Sequence, residues 1–271
     1  MFTLNCMGQL LVLDKPVVMG ILNTTPDSFY SGSRVKQTDA ALLRAEAMLA
    51  DGAAILDIGG QSTRPNSERL SADEELKRVL PAIETIHQNF PEAIISIDTF
   101  YAMVAKEAVA AGAAIVNDIS AGTLDKNLIP TVAELGVPYV LMHMKGDPQT
   151  MQNNPTYENV TLDVFDQLSF AIKNLQRQGI HDIIIDPGFG FGKTIAHNFQ
   201  LLRELSFFQQ LQKPILAGLS RKGTVYKTLH TTPEKALNGT TVLHTIALLN
   251  GATMLRAHDV KEAKEAIDLF L

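Results

Sequence analysis

Polar and charged side chains recur at equivalent points of this chain, each closing a short apolar run. They are Asn23, Asp57, Asp98, Asn117, His143, Asp186, the segment Ser220–Lys222, and Arg256 with His258. Their chemistry falls into two groups. Asp98, Asn117, Asp186 and Lys222 offer acceptors and donors that suit a flat heterocycle bearing ring nitrogens and an amino group. A buried carboxylate can take two hydrogen bonds from an amidine-like N–C–NH2 edge, and such charge-assisted pairs are short and directional. Asn23, Thr63, Arg64, Arg256 and His258 suit a polyanion instead. The arginine fork matches phosphate oxygens. An amide oxygen such as that of Asn23 can ligate a hard cation that keeps most of its water, as Mg2+ does beside phosphates. The two groups together point to a heterocycle carrying a phosphate or diphosphate, and leave the reaction open. The plainer alternative is that each residue caps the helix after it. That suits Asp259 or Thr99 alone, but does not explain why carboxylate, amide, lysine, arginine and histidine all occupy equivalent points.

The most glycine-rich of these points is Asp186-Pro-Gly-Phe-Gly-Phe-Gly-Lys-Thr194, after the apolar run Ile183–Ile185. Two nucleotide motifs are excluded by counting. Gly188 to Gly192 leaves three intervening residues where a Walker A loop needs four, and position 193, where G-x-G-x-x-G needs glycine, is Lys. An ordinary strand-to-helix turn is the bland reading; glycines that let backbone approach a ligand closely are the functional one.

Such residues need a frame that gathers distant strand ends. Residues 2–12 read as a β-hairpin closing one end of the main fold. The chain then repeats one grammar. Val17–Leu22, Ile55–Ile58, Ile94–Ile97, Ile115–Val116, Tyr139–Met142, Ile183–Ile185, Ile215–Ala217 and Thr253–Leu255 are short apolar runs, as expected of strands buried on both faces. Helical stretches follow them. Thr38 is expected to cap the first, Ser71 with Glu74 forms a capping box for the second, and Pro81 predicts a kink or break there. A long helix is expected from about Tyr157 to Gln178, and another from about Pro233 to Asn250. About eight strands, each followed by a helix, predict an α/β fold: a (β/α)8 TIM barrel in a single domain, 1–271, with an N-terminal β-hairpin. A doubly wound open sheet has the same alternation; the strand count and the polar strand ends favour the barrel. In a barrel all strand C-termini meet at one mouth.

Of 271 residues, 46% are hydrophobic and 19% charged, with net charge -6. No basic run suggests nucleic-acid binding, and no apolar stretch reaches membrane-spanning length. The single cysteine, Cys6, excludes an internal disulfide and suits a reducing cytoplasm.

Four stretches carry a resemblance: Met19-Gly-Ile-Leu-Asn-Thr-Thr-Pro-Asp-Ser-Phe29, Gly59-Gly-Gln-Ser-Thr-Arg-Pro65, Asp186-Pro-Gly-Phe-Gly-Phe-Gly-Lys193 and Gly218-Leu-Ser-Arg-Lys222. Asn117-Asp-Ile119, Leu141-Met-His-Met144 and Arg256-Ala-His-Asp-Val260 support them. In this order, over nearly the whole chain, they resemble the dihydropteroate synthases of folate biosynthesis. The resemblance implies a TIM-barrel enzyme, usually a homodimer, that uses Mg2+ to join p-aminobenzoate to 6-hydroxymethyl-7,8-dihydropterin diphosphate. By motif, it implies that Asp98, Asn117, Asp186 and Lys222 hold the pterin between Met142, Gly218 and Phe191. Asn23 would ligate the metal and touch the diphosphate, which Thr63, Arg64, Arg256 and His258 would hold. Phe29, Pro65, Ser220 and Lys222 would form the p-aminobenzoate site. Asp98, Asp186, Lys222, Arg256 and His258 would carry the catalysis.

The first two loops depart from the family pattern. Ser31 stands where an acid is usual, Ser33-Arg34 interrupts a glycine pair, and Gln61 stands where Glu is usual. A slower reaction or altered loop closure is expected, with Tyr30 or Arg34 compensating. Met142-His143-Met144 reads as a satisfied histidine between core methionines rather than a soft-metal site. His181, His197, His230 and His244 are placed on surfaces or helices, and the charges of 259–268 on a solvated helix face. Two other functions stay open: a methyltetrahydrofolate-type pterin methyltransferase, which would not need the diphosphate residues, and a non-catalytic pterin-binding homologue. Lys193 receives no role.

Overall fold

The computed structural model describes residues 1–24, 34–61, 69–146, 151 and 155–271, with the backbone alone at 34–37. At the start of the chain β1 (Phe2–Cys6) and β2 (Gln9–Leu13) pair antiparallel. Met7 and Gly8, with φ of 55° and 91°, form the two-residue turn between them; two positive φ values give the twist that a tight hairpin needs.

The apolar runs then form parallel strands. They are β3 (Val17–Asn23), β4 (Ala53–Gly59), β5 (Ile94–Asp98), β6 (Ile115–Asp118), β7 (Tyr139–Met142), β8 (Ile183–Asp186), β9 (Leu216–Ala217) and β10 (Met254–Ala257). Their order is β8-β7-β6-β5-β4-β3-β10-β9, and a parallel bridge between Ile185 and Ile215 joins the two ends. The sheet is therefore the expected (β/α)8 barrel rather than an open doubly wound sheet. Its strands read as continuous apolar runs because helices cover one face and barrel-filling side chains the other. The hairpin residues Leu4, Cys6, Leu11 and Leu13 pack on Met19, Ile55, Ile94, Ile115, Val140, Ile184, Leu216 and Met254. Those partners lie in the first halves of their strands, so the hairpin plugs the N-terminal mouth and leaves the C-terminal mouth to the polar residues.

The helices are α1 (Arg34–Ala50), α2 (Ala72–Asn89), α3 (Ala102–Ala110), α4 (Leu128–Leu135), α5 (Val160–Arg177), α6 (Ile195–Arg203), α7 (Gly223–Thr228), α8 (Leu237–Leu249) and α9 (Val260–Phe270). None is long and apolar enough to cross a membrane among the described residues. Several boundaries differ from those expected. Thr38 lies inside α1 rather than capping it. The Ser71–Glu74 capping box does form, but α2 continues unbroken past Pro81. Buried Val79, Ala82, Ile83 and Ile86 straddle the proline, and their packing offsets the one hydrogen bond it removes. α5 starts three residues late because Asn159 accepts from Thr161 N and Leu162 N as a cap. The segment expected as one helix from Pro233 splits into a 3-10 turn, Pro233–Lys235, and α8.

Candidate active site at the C-terminal mouth

Parallel pairing sets the polar strand ends side by side. Asn23 is in register with Gly59, Gly59 with Asp98, and Asp98 with Asn117; on the far wall Met142 is in register with Asp186. Asp98 and Asn117 thus meet although they are 19 positions apart in the chain. Asp118, one step on, points to the opposite face, as strand alternation requires. There it accepts from Ser120 N (2.7 Å), Gly122 N (2.6 Å) and Tyr139 Oη (2.7 Å), so it shapes the loop after β6 rather than the mouth.

The charged core of the mouth is a four-residue network. Arg256 donates from Nε to Asp57 Oδ2 and from Nη2 to Asp98 Oδ2, each at 2.6 Å. Asn117 Nδ2 donates to the same Asp57 Oδ2 at 3.0 Å. Asp57 is fully buried, and its Oδ1 has no protein partner among the described residues. The sequence placed Asp57 at a strand end without giving it a role; it lies two residues before the end of β4, in register with Ser96, and the signal was a carboxylate inside an otherwise apolar run. Arg256, expected to serve an anion, is here the counter-ion of two carboxylates.

On the other side stands the glycine-rich turn. Asp186 Oδ1 accepts from Gly188 N at 2.7 Å. Its Oδ2 faces Gly218, where a Cβ would sit 3.7 Å from Oδ2 and 3.4 Å from Lys222 Nζ. Glycine at 218 therefore keeps open the space between acid and lysine. Gly188 is needed for a second reason: its φ is +73°, and a Cβ there would lie 1.8 Å from the His143 carbonyl oxygen. Lys222 donates to Phe189 O at 2.7 Å and lies 4.7 Å from the centre of the Phe191 ring. Phe191 packs with Met142, Phe100, Ile119 and Met151 into a small apolar wall. His143 is buried beside it, and Lys193 Nζ lies 2.9 Å from its Nδ1. It is thus only half the satisfied histidine expected: Nδ1 meets Lys193, while the buried Nε2 has no hydrogen-bond partner among the described residues.

Burial dominates the electrostatics. It pushes Asp98 up to about 7 against the pull of Arg256, and raises Asp186 against the pull of Lys222. It draws Lys222 down to about 8, with Asp186 opposing. Burial also works against the Arg256 charge, but Asp57 and Asp98 outweigh it and raise Arg256 above its ordinary value. Burial, and then the Arg256 charge, lower His258 to about 4, so its imidazole is neutral near pH 7. Two acids raised and a lysine lowered in one cleft are charges short of solvation, and a ligand with matching donors and acceptors relieves all three.

A third group links the last two strands. Ser220 Oγ lies 3.0 Å from His258 Nδ1 and accepts from His258 N at 3.1 Å. Between Ser220 and Lys222, Arg221 has φ 51° and forks onto Asp259 with both contacts at 2.8 Å. Asp259 makes no side-chain cap on α9, so neither helix capping nor a solvated face describes it.

Phe29, Thr63, Arg64 and Pro65, with Tyr30, Ser31 and Ser33, lie outside the described residues. The half-buried Asn23 ends β3 at the same mouth. Gln61 trades hydrogen bonds with Leu70, Nε2 to O and Oε1 from N, each at 3.2 Å, and donates to Glu75 Oε2 at 3.2 Å. No cluster of three or more His, Cys, Asp or Glu side chains able to hold a metal occurs among the described residues. A donor set of one amide oxygen fits a Mg2+ whose other ligands are water and substrate oxygens, and does not fit an all-protein cage.

Residues 19–258 match the family model described as pterin binding enzyme. The dihydropteroate synthase of Escherichia coli K12 is 42% identical over 262 residues, covering 96% of this chain and 92% of that protein. That of Xanthomonas albilineans has been solved with 4-aminobenzoic acid (41% identity, TM-score 0.92, covering 99% of this chain and 96% of that one). It has also been solved with 7,8-dihydropteroate (39%, TM-score 0.89, 99% and 97%). The Yersinia pestis enzyme in a sulfonamide complex is 40% identical, with TM-score 0.93 and coverage of 99% and 98%. A barrel whose C-terminal mouth gathers these acids, lysine and arginine, matched over nearly its full length, has one assignment: this chain belongs to the dihydropteroate synthase family of pterin-binding enzymes.

Proposed function

We propose that the protein condenses 6-hydroxymethyl-7,8-dihydropterin diphosphate with p-aminobenzoate, releasing 7,8-dihydropteroate and diphosphate. The observation that carries this is the facing of Asp98 and Asn117 on one wall by Asp186 and Lys222 on the other, with Arg256 at hydrogen-bond distance from Asp98. A pterin edge has the N–H donors that two desolvated acids need, and the Lys222 ammonium can donate to a ring acceptor. Phe191, Met142 and Gly218 line the seat of the ring. Arg256 and His258, with Thr63 and Arg64, hold the diphosphate; Ser220, Lys222, Phe29 and Pro65 bound the p-aminobenzoate.

The chain's own part in the reaction is charge stabilisation and alignment. The C–O bond to the diphosphate breaks first, and Asp186 and Asp98 stabilise positive charge spread into the dihydropterin ring. Arg256 stabilises the charge that grows on the leaving diphosphate. An arylamine is already a neutral nucleophile, so no strong base is required, and positioning supplies much of the rate. Asn23 would hold Mg2+, which supplies Lewis-acid charge neutralisation to the diphosphate when bound.

Diphosphate residues set this reading apart from a methyltetrahydrofolate-type methyltransferase, and turnover sets it apart from a non-catalytic pterin-binding homologue. Diphosphate release from both substrates tests it: Mg2+-dependent turnover, competed by a sulfonamide against p-aminobenzoate, is expected. A well-folded protein that releases none refutes it. We further infer a homodimer through the 233–271 region, where Val242 and Leu249 of α8 and Leu269–Leu271 expose apolar surface. A cytoplasmic setting suits the single free, buried Cys6.

A further inference from the structure

The turn from Asp186 to Lys193 is held at nearly every residue: Asn198 accepts from Gly190 N, Tyr157 donates to Gly192 O, and one buried side chain, Lys193, holds two carbonyls at once. Lys193 is 3% exposed. Its Nζ donates to Gly188 O at 2.9 Å, to Phe191 O at 3.0 Å and to His143 O at 3.3 Å, and lies 2.9 Å from His143 Nδ1. Burial, and then the Lys193 charge, draw His143 down to about 3, so the ring is neutral and Nδ1 is free to accept. An ammonium has three protons, and this one sits among four acceptors, three of them main-chain carbonyls. It occupies the turn as a bound cation would. Burial draws Lys193 itself down to about 7, with Asp186 opposing and Lys222 adding to the fall. Keeping a lysine there is costly, and an apolar side chain of similar length would avoid the cost. The carbonyls at 188 and 191 explain why that does not suffice: Phe191 O is held by Lys193 Nζ at 3.0 Å and would lose that donor, while Gly188 O, which also accepts from Phe191 N at 3.1 Å, would lose one of two.

Lys193 is buried behind the turn, yet of the three residues it grips, Gly188 and Phe191 belong to the mouth, and His143 follows the end of β7. Gly188 places its own N–H on Asp186 Oδ1, and Phe191 forms the apolar wall. The neighbouring carbonyl, Phe189 O, is held by Lys222. Two ammonium groups thus fix three consecutive or near-consecutive carbonyls of one turn, one from the ligand side and one from behind. The nearby glycines make this possible, since Gly188 and Gly192 run against the backbone of His143 and Lys145 too closely for any Cβ.

We propose that Lys193 is a positioning residue of the pterin pocket: its buried ammonium ties the 186–192 turn to the end of β7 and so sets Asp186 and Phe191 for the pterin ring. This rests on the reading that Asp186 and Phe191 hold the pterin. Of the groups assigned to the diphosphate, the described ones, Asn23, Arg256 and His258, stand at the ends of other strands, and none is a hydrogen-bond partner of Lys193.

Calorimetric titration of the full chain with 6-hydroxymethylpterin, and separately with inorganic diphosphate and Mg2+, tests it. Wild type is compared with Lys193→Met, Lys193→Gln and Asp186→Asn. The Met variant is expected to bind pterin at least roughly tenfold more weakly, with diphosphate affinity within about twofold of wild type. The Gln variant, which keeps two N–H donors but no charge, should fall between. Unchanged pterin affinity in the Lys193 variants while Asp186→Asn loses it overturns the inference alone. Unchanged affinity in Asp186→Asn overturns the site reading instead. If the Met variant does not fold, the Gln variant decides by the same ratio. Parallel loss of both ligands, or loss of folding in both variants, makes Lys193 a residue of the fold only and overturns the proposal.

Discussion

Arg256 Nη2 lies 2.6 Å from Asp98 Oδ2, so the arginine assigned to the diphosphate is bonded to an acid assigned to the pterin ring. The two subsites therefore share a charge. A pterin that satisfies Asp98 with its own N–H donors loosens the arginine's hold on that acid and leaves more of its charge for an anion. Inorganic diphosphate should accordingly bind roughly fivefold or more tightly when 6-hydroxymethylpterin is present, and the pterin should gain by the same factor from diphosphate. Titration of each ligand with and without the other measures both numbers. Equal affinities in the two conditions would show that the pair does not couple the subsites.

Asp57 holds the other end of that guanidinium and the Asn117 amide through a single oxygen. Asp57→Asn should cost about 3 kcal/mol of stability, because it leaves a largely buried arginine partly uncompensated. It should also cut kcat/KM, since two substrate-facing groups lose their anchor. Combining it with Arg256→Met should restore much of the stability, measured by urea denaturation, and none of the turnover. Stability that stays low in the double variant would show that the cost of losing Asp57 does not come from Arg256.

The barrel was legible because each strand is buried on both faces, which leaves a run of Val, Ile and Leu too short for a helix. The mouth was legible because each run ends in a polar residue, and parallel strands share one direction. What escaped was pairing across the barrel. Nothing local says that Arg256 reaches Asp57, 199 residues away in the chain. Nor does a glycine-rich turn announce that its carbonyls face inward onto Lys193. Pro81 misled for a related reason: packing against the sheet, not local propensity, decides whether α2 persists. Asp259 reads as an N-cap from its place before α9, but a guanidinium fork from Arg221 is the stronger partner for its carboxylate.

Arg221 sets the loop that carries Ser220 and Lys222. It is in a left-handed conformation, forks onto Asp259, and donates from Nη1 to Pro233 O (2.8 Å) and Glu234 O (2.7 Å). A lysine keeps the charge but not the fork. Arg221→Lys should raise the KM for p-aminobenzoate several-fold while leaving inorganic diphosphate affinity nearly unchanged. A KM equal to that of wild type would show that the backbone alone holds this loop.

Glu75 makes stability depend on pH at the neck of the second loop. Its side chain is fully buried at the start of α2 and accepts from Gln61 Nε2. Burial pushes its carboxyl from 4.5 up to about 7, with Thr99 and then Gln61 opposing. Between those two values the folded chain holds a proton that the unfolded chain releases. The group's contribution is therefore full below about pH 4.5 and is lost as pH rises through about 7. Glu75→Gln removes this titration and keeps an oxygen for Gln61. Relative to wild type, the variant should gain up to about 3 kcal/mol in urea denaturation on going from about pH 5 to about pH 8. Gln61→Glu should do the reverse: a second carboxyl 3.2 Å away disfavours ionisation of the pair, so stability should fall more steeply with rising pH than in wild type. If all three proteins keep the same pH dependence, Glu75 does not titrate in this window.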